Sequence, residues 1–243
     1  MEENSEKVLK VRDLSVSLSG ENIIDNLNFD VTRGEYLTII GPNGSGKTTL
    51  FRALIGIVPH RGEITWAKDV ILGYVPQRLD LERNVPLSLR DFLVSKTGGH
   101  AGILDQYLTM VHLQPELLKK TLGELSGGEF QRALVAFALM GDTNVLLFDE
   151  PTASVDKPSE EQIYETLHRL QHERGLTIIT ISHDLSLVSR YADKVLCLNR
   201  EAACFGIPSE VMRPEILTKL YGRGHAKLYQ HAHETNHNHN AGN

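Results

Sequence analysis

Nine consecutive residues, Gly41, Pro42, Asn43, Gly44, Ser45, Gly46, Lys47, Thr48 and Thr49, separate an apolar β-rich run (Leu37-Thr-Ile-Ile40) from a helical pattern that reaches Gly56. Glycines at the first, fourth and sixth places let the backbone wrap an anion so that successive N–H groups point inward, and the following helix adds the positive end of its dipole. Lys47 can reach terminal phosphates, and the Thr48 hydroxyl suits a bound Mg²⁺. A plain glycine turn is the bland alternative, but the flanking strand and helix are the context a phosphate loop requires.

Further short β-rich runs alternate with helical patterns. Val145-Leu-Leu-Phe148, Thr177-Ile-Ile-Thr-Ile181 and Lys194-Val-Leu-Cys-Leu198 are apolar on both faces, as central strands of a helix-covered sheet must be. Helices are expected over Lys47 to Gly56, Gly127 to Met140 and Lys157 to Glu173. Val8 to Leu18 and Ile23 to Val31 alternate in polarity and predict an antiparallel hairpin around Ser19-Gly20-Glu21-Asn22. From Arg78 to Leu122 strand signals give way to helical ones, broken at Pro86, Gly98-Gly99 and Pro115, which predicts an inserted helical lobe. The expected fold class is α/β: a P-loop NTPase core with an antiparallel β subdomain and a helical lobe at about 78–140.

Two more segments carry chemistry. The apolar run Val145 to Phe148 ends abruptly in Asp149 and Glu150; a buried strand delivers such carboxylates to the carboxyl edge of its sheet, where ligands of open α/β sheets lie. Asp149 suits the Mg²⁺ shell, and Glu150 suits the orientation of an attacking water. Leu125-Ser126-Gly127-Gly128-Glu129 then starts the helix that carries Ala133, Leu134, Phe137 and Ala138. Ser126 can cap that helix, yet the helix start is also a second anion site, one more than a nucleotide already held by Lys47 needs. Its nucleotide must be held elsewhere.

On these motifs the chain, from about Lys7 to Gly222, resembles the ATP-binding subunits of ABC transporters. The resemblance implies ATP and Mg²⁺ as ligands and a homodimer that sandwiches two ATP molecules head to tail. Each lies between the Gly41 to Thr49 loop of one copy and Ser126, Gly127 and Gly128 of the other. It further implies that Gln77 senses Mg²⁺ and the γ-phosphate, that Asp156 touches the opposite subunit's site, and that His183 contacts the γ-phosphate. Three less specific stretches are similar to bacterial zinc-uptake ATP-binding proteins: Gly73 to Gln77 with Val85 to Asp91, Val195 to Arg200, and Phe205 to Val211 running on to Gly222. The partners then implied are an integral membrane permease and, indirectly, an extracytoplasmic metal-binding protein, with this subunit peripheral on the cytoplasmic face of the inner membrane. A manganese, iron or other ABC system, or a soluble ABC protein of translation or DNA repair, remains the alternative.

Bulk properties narrow the choice. A net charge of −6 argues against broad capture of nucleic acid, and the longest apolar stretch, Ala133 to Met140, is far shorter than the ~20 residues a spanning helix needs. The acidic start, Met1 to Lys7, lacks the positive end and apolar run of a secretory signal. Cys197 and Cys204 are too few for a disulfide framework and are expected to be buried thiols. Residues 223–243 form a His-rich tail, expected to be flexible. Its His231, His233, His237 and His239 can bind zinc weakly as a sensor or buffer, the alternative being a plain solvated tail.

The family usually stacks an aromatic on adenine near the end of the first strand, and the corresponding residue here is Leu18. Stacking is worth ~1–3 kcal/mol per base. Leu18→Tyr should therefore tighten ATP binding and widen the preference for ATP over GTP in equilibrium titrations; unchanged values would remove Leu18 from the base site.

Overall fold

The computed structural model describes residues 6–77, 86–149 and 155–222; Glu150 and the tail histidines His231, His233, His237 and His239 lie outside the described residues. Strands β1 (Lys7–Leu18) and β2 (Glu21–Thr32) pair antiparallel, with Leu9, Val11, Leu14 and Val16 facing inward with Ile24, Leu27, Phe29 and Val31. Ser19 and Gly20 close the hairpin with φ of 51° and 83°, the two positive angles that a two-residue turn matching strand twist demands. The turn is thus tighter than the four residues expected from sequence, and the strands start closer to it.

The chain continues through β3 (Tyr36–Ile40), α1 (Lys47–Leu54), β4 (Arg61–Trp66), β5 (Leu72–Val75), α2 (Leu89–Lys96), α3 (Leu104–Met110) and α4 (Gly127–Leu139). It ends with β6 (Val145–Phe148), α5 (Lys157–Arg174), β7 (Thr177–Ile181), α6 (Leu185–Tyr191), β8 (Lys194–Asn199), β9 (Glu201–Gly206), α7 (Pro208–Val211) and α8 (Pro214–Tyr221). Strand β4 joins the hairpin in the order β2-β1-β4, and the main sheet runs β5-β6-β7-β3-β8-β9. All its neighbours are parallel except β8 and β9.

Residues of one strand go to opposite faces. Leu146 and Phe148 of β6 join a core with α2, α3, α4 and α5, whereas Val145 and Leu147 join the hairpin and α1. This period of two explains why the central strands read as unbroken apolar runs. A third cluster packs α6, α7 and α8 on Ile40, Val195 and Cys197. Between Pro86 and Met140 the described residues contain helices and short 3₁₀ turns and no strand. Among the described residues no helix is long and apolar enough to cross a membrane.

The expectation of two thiols is corrected. Cys197 and Cys204 stand opposite one another in the β8–β9 register, with Cα atoms 4.9 Å apart, and are joined in a disulfide. Seven residues of separation hid this, because Glu201 to Gly206 carries too weak a strand pattern to announce a hairpin that turns at Arg200, whose φ is 68°.

The helical region is keyed to the sheet by Gly73. A Cβ there would lie 2.4 Å from the Ala138 carbonyl oxygen of α4 and 2.9 Å from Thr143 Cγ2. Gly73→Ala should therefore destabilise the fold by ~1–3 kcal/mol, read as a lower urea midpoint; an unchanged midpoint would show that the helix–sheet spacing is not fixed there.

Candidate active site

The loop from Gly41 to Gly46 leaves the buried β3 between β7 and β8. A Cβ on Gly41 would fall 2.1 Å from the Leu198 carbonyl oxygen and 2.8 Å from Ser45 Oγ, so no larger residue fits. Gly46 takes φ 99° directly before α1, where a Cβ would press on Ile23 and Ile24 of the hairpin at 3.2 Å. The loop is held from the other side by the Arg200 N–H, which donates to the Ser45 carbonyl at 3.3 Å.

Helix α1 has no side-chain cap and no acid in its first turn, so its leading N–H groups and dipole are left for an anion. The buried Lys47 ammonium donates back to the Gly41 and Pro42 carbonyls at 2.8 and 3.0 Å, which folds the cation over the loop. Ser45 Oγ is buried and makes no hydrogen bond to the described residues. Thr48 and Thr49 are half-buried in the first turn, and Asn43 and Gly44 are exposed.

The parallel register lines up the other candidates. Val75 pairs with Phe148, Phe148 with Thr180, and Ile39 with Ile181. Gln77, Asp149, His183 and Gly41 therefore follow the carboxyl ends of β5, β6, β7 and β3, in the order of the strands. Asp149 is 1% exposed, and its N–H donates to the Val75 carbonyl at 2.9 Å. The Ser182 N–H donates to the Ile39 carbonyl at 3.2 Å and leads His183 out of the sheet beside the loop strand. Burial, reinforced by the Asp149 charge, pushes the Tyr74 hydroxyl up to about 12, which makes Tyr74 a neighbour of this carboxylate that sequence reasoning did not mark. Leu18 is half-buried at the end of β1 and packs on the core that includes Ile23 and α1.

Ser126, Gly127 and Gly128 are not at that edge. They start α4, where Ser126 Oγ accepts from the Glu129 N–H at 3.2 Å and Glu129 Oε2 accepts from the Ser126 N–H at 2.8 Å. This reciprocal cap holds the Glu129 carboxyl below its usual range, first through the Ser126 backbone. Asp156 caps α5 by accepting from the Ser159 N–H at 3.0 Å, and the same residue holds its carboxyl low. The two helix starts touch: a Cβ on Gly128 would meet Ser159 Oγ at 2.7 Å and Ser159 Cβ at 2.8 Å. Ser159 has no sequence signal, because its role arises only from this crossing.

Gly128→Ala gains helix propensity of ~1 kcal/mol but must part α4 from α5, at a cost of ~1–3 kcal/mol. The variant is expected to show a lower urea midpoint and slower ATP turnover, with Ser159→Gly in the same chain restoring part of both. Loss without any rescue would show that the helix crossing is not the cause.

An ABC transporter family model matches residues 24–153. A zinc import ATP-binding protein ZnuC of Pseudomonas entomophila (strain L48) is 34% identical over 241 residues, covering 97% of this chain and 91% of that protein. A ZnuC 1 of Hahella chejuensis (strain KCTC 2396) is 36% identical over 220 residues, covering 90% and 85%. A solved inward-facing structure assigned to the metal-chelate type of ABC transporter superposes with a TM-score of 0.80 at 28% identity, covering 89% of each chain. With the family model spanning more than half of its length and these relatives nearly all of it, the chain belongs to the ABC transporter family as an ATP-binding, ATP-hydrolysing cassette.

Proposed function

We propose that this chain drives a zinc importer, hydrolysing ATP on the cytoplasmic face of the inner membrane as a peripheral subunit of a membrane permease. The observation that carries the cargo is the near full-length similarity to proteins named for zinc import, at 34 to 36% identity. An extracytoplasmic metal-binding protein would deliver the ion, and the permease would select it. Residues 7–222 are the ATPase domain in this reading, with the helical lobe of about 78–140 docking the permease and Gln77 at its entrance carrying the state of the γ-phosphate into it.

Two copies would close head to tail on two ATP molecules. The loop of one copy, Gly41 to Thr49 with Lys47, wraps the phosphates, while Ser126, Gly127 and Gly128 of the other present the second helix start. Support comes from the separation of the two anion sites: one lies at the sheet edge beside Asp149, the other at the α4–α5 crossing beside Asp156. Asp156 then reaches toward the opposite subunit, Leu18 touches the base and His183 the γ-phosphate.

Mg²⁺ takes oxygen donors, and Thr48 at the start of α1, Asp149 at the end of β6 and Gln77 beyond β5 are oxygen donors on one sheet edge. When bound it would neutralise charge on the phosphate oxygens. Glu150 follows Asp149 in the chain and would orient the attacking water, a role worth ~10²- to 10⁴-fold in rate. The protein otherwise contributes positioning and electrostatics and no covalent step.

Reconstitution with the permease in vesicles tests the reading. ATP should drive zinc uptake in preference to manganese, and Glu150→Gln should cut both hydrolysis and uptake by about 10²-fold or more while ATP still binds. Manganese uptake without zinc uptake would assign a different cargo, and full hydrolysis by Glu150→Gln would take the water-orienting role from that residue.

A further inference from the structure

Helix α5 carries a histidine pair that the nucleotide chemistry does not use. His168 and His172 are four residues apart and so lie on one face, with ring centroids 4.3 Å apart. His172 Nδ1 is 2.9 Å from the His168 carbonyl oxygen. A carbonyl can only accept, so Nδ1 is the donor and Nε2 is the ring nitrogen through which this imidazole would ligate. An imidazole whose second ring nitrogen donates to a backbone carbonyl is oriented as metal-bound histidines are. His168 is backed by the Tyr191 ring at 5.3 Å, and burial, followed by the nearby His172, lowers its pKa.

We propose that His168 and His172 form a two-imidazole chelate for a zinc-class divalent transition-metal ion on the exposed face of α5. The charge setting is mixed. Arg190 of α6 faces the pair but is engaged by Glu165 at 3.6 Å and lies over the Tyr191 ring. Asp193 draws positive charge toward His168, although its carboxylate already accepts from the Tyr36 N–H and Gln171 Nε2. His172 also lies in the last turn of α5, where the helix dipole favours a cation. Among the described residues no group of three or more metal-ligating side chains occurs, so water must complete the shell. Binding is then reversible and weaker than at a four-ligand structural zinc site. His168 is twelve residues along the helix from Asp156, about 18 Å at 1.5 Å per residue, so the chelate is separate from the nucleotide site. It does not depend on which ion is transported.

The test is titration of the full chain with zinc chloride, without nucleotide, by calorimetry and by thermal unfolding. Wild type, His168→Ala, His172→Gln and the double variant are compared in a background where His225, His231, His233, His237 and His239 are Gln. Wild type should bind one equivalent and melt at a higher temperature with zinc. Each single variant should lose that same equivalent and the zinc-dependent shift, with ATP turnover retained, and the double variant should lose no more than either. Should His168→Ala fail to fold, the exposed His172→Gln carries the comparison. Equal zinc stoichiometry in wild type and His172→Gln, or loss in only one of two folded single variants, would overturn the chelate.

Discussion

The structure depends on backbone contact at one point, where β3 passes into the loop beginning at Gly41. The Leu198 carbonyl of β8 comes so near that a Cβ at Gly41 would be 2.1 Å away, and the hairpin closes on Gly46 from the opposite side. A side chain at Gly41 is excluded, and one at Gly46 would crowd Ile23 and Ile24 and strain a φ of 99°. The consequence is mechanical: with both ends held, the loop and the uncapped start of α1 are fixed relative to each other, and Lys47 folds back to donate to the Gly41 carbonyl at 2.8 Å. The hairpin, remote in sequence from Asp149, is thereby part of the wall of this loop.

A second contact of the same kind joins the starts of α4 and α5. Gly128 packs on Ser159 where α4 meets α5, and Ser126 and Asp156 each cap their own helix there. Capping and ligand binding are compatible here, since Ser126 Oγ accepts one N–H while the other leading amides of α4 stay available. In the proposed function one half-site belongs to the sheet edge and the other to this helix crossing. Their placement on separate elements is the ground for proposing that the protein works as one half of a pair.

Much of this was legible from sequence because the relevant signals are local. The loop glycines, the unbroken apolar strands and the alternating hairpin each follow from backbone rules acting over a few residues, and helices α1, α4 and α5 end within two residues of where their patterns stop. Strands β4, β5 and β9 were not legible, β5 because its four residues are too few to show a period. Arg61 to Trp66 is mostly exposed at an edge of the small sheet, and Glu201 to Gly206 pairs only with β8, so neither needs an apolar face of its own. The Cys197–Cys204 bond was missed with β9, and Tyr74 and Ser159 gain meaning only from neighbours distant in the chain. The family resemblance supplied roles for Gln77, Asp156 and His183 that no residue pattern alone could assign.

The proposed function rests on a phosphate held between two copies. The most direct measurement is the initial rate of ATP hydrolysis per chain as chain concentration is lowered at saturating ATP, with mass followed by light scattering. A shared site predicts that the rate per chain falls as dilution separates the copies and that mass doubles where hydrolysis is fastest. A rate per chain independent of dilution, from a species of single-chain mass throughout, would contradict it.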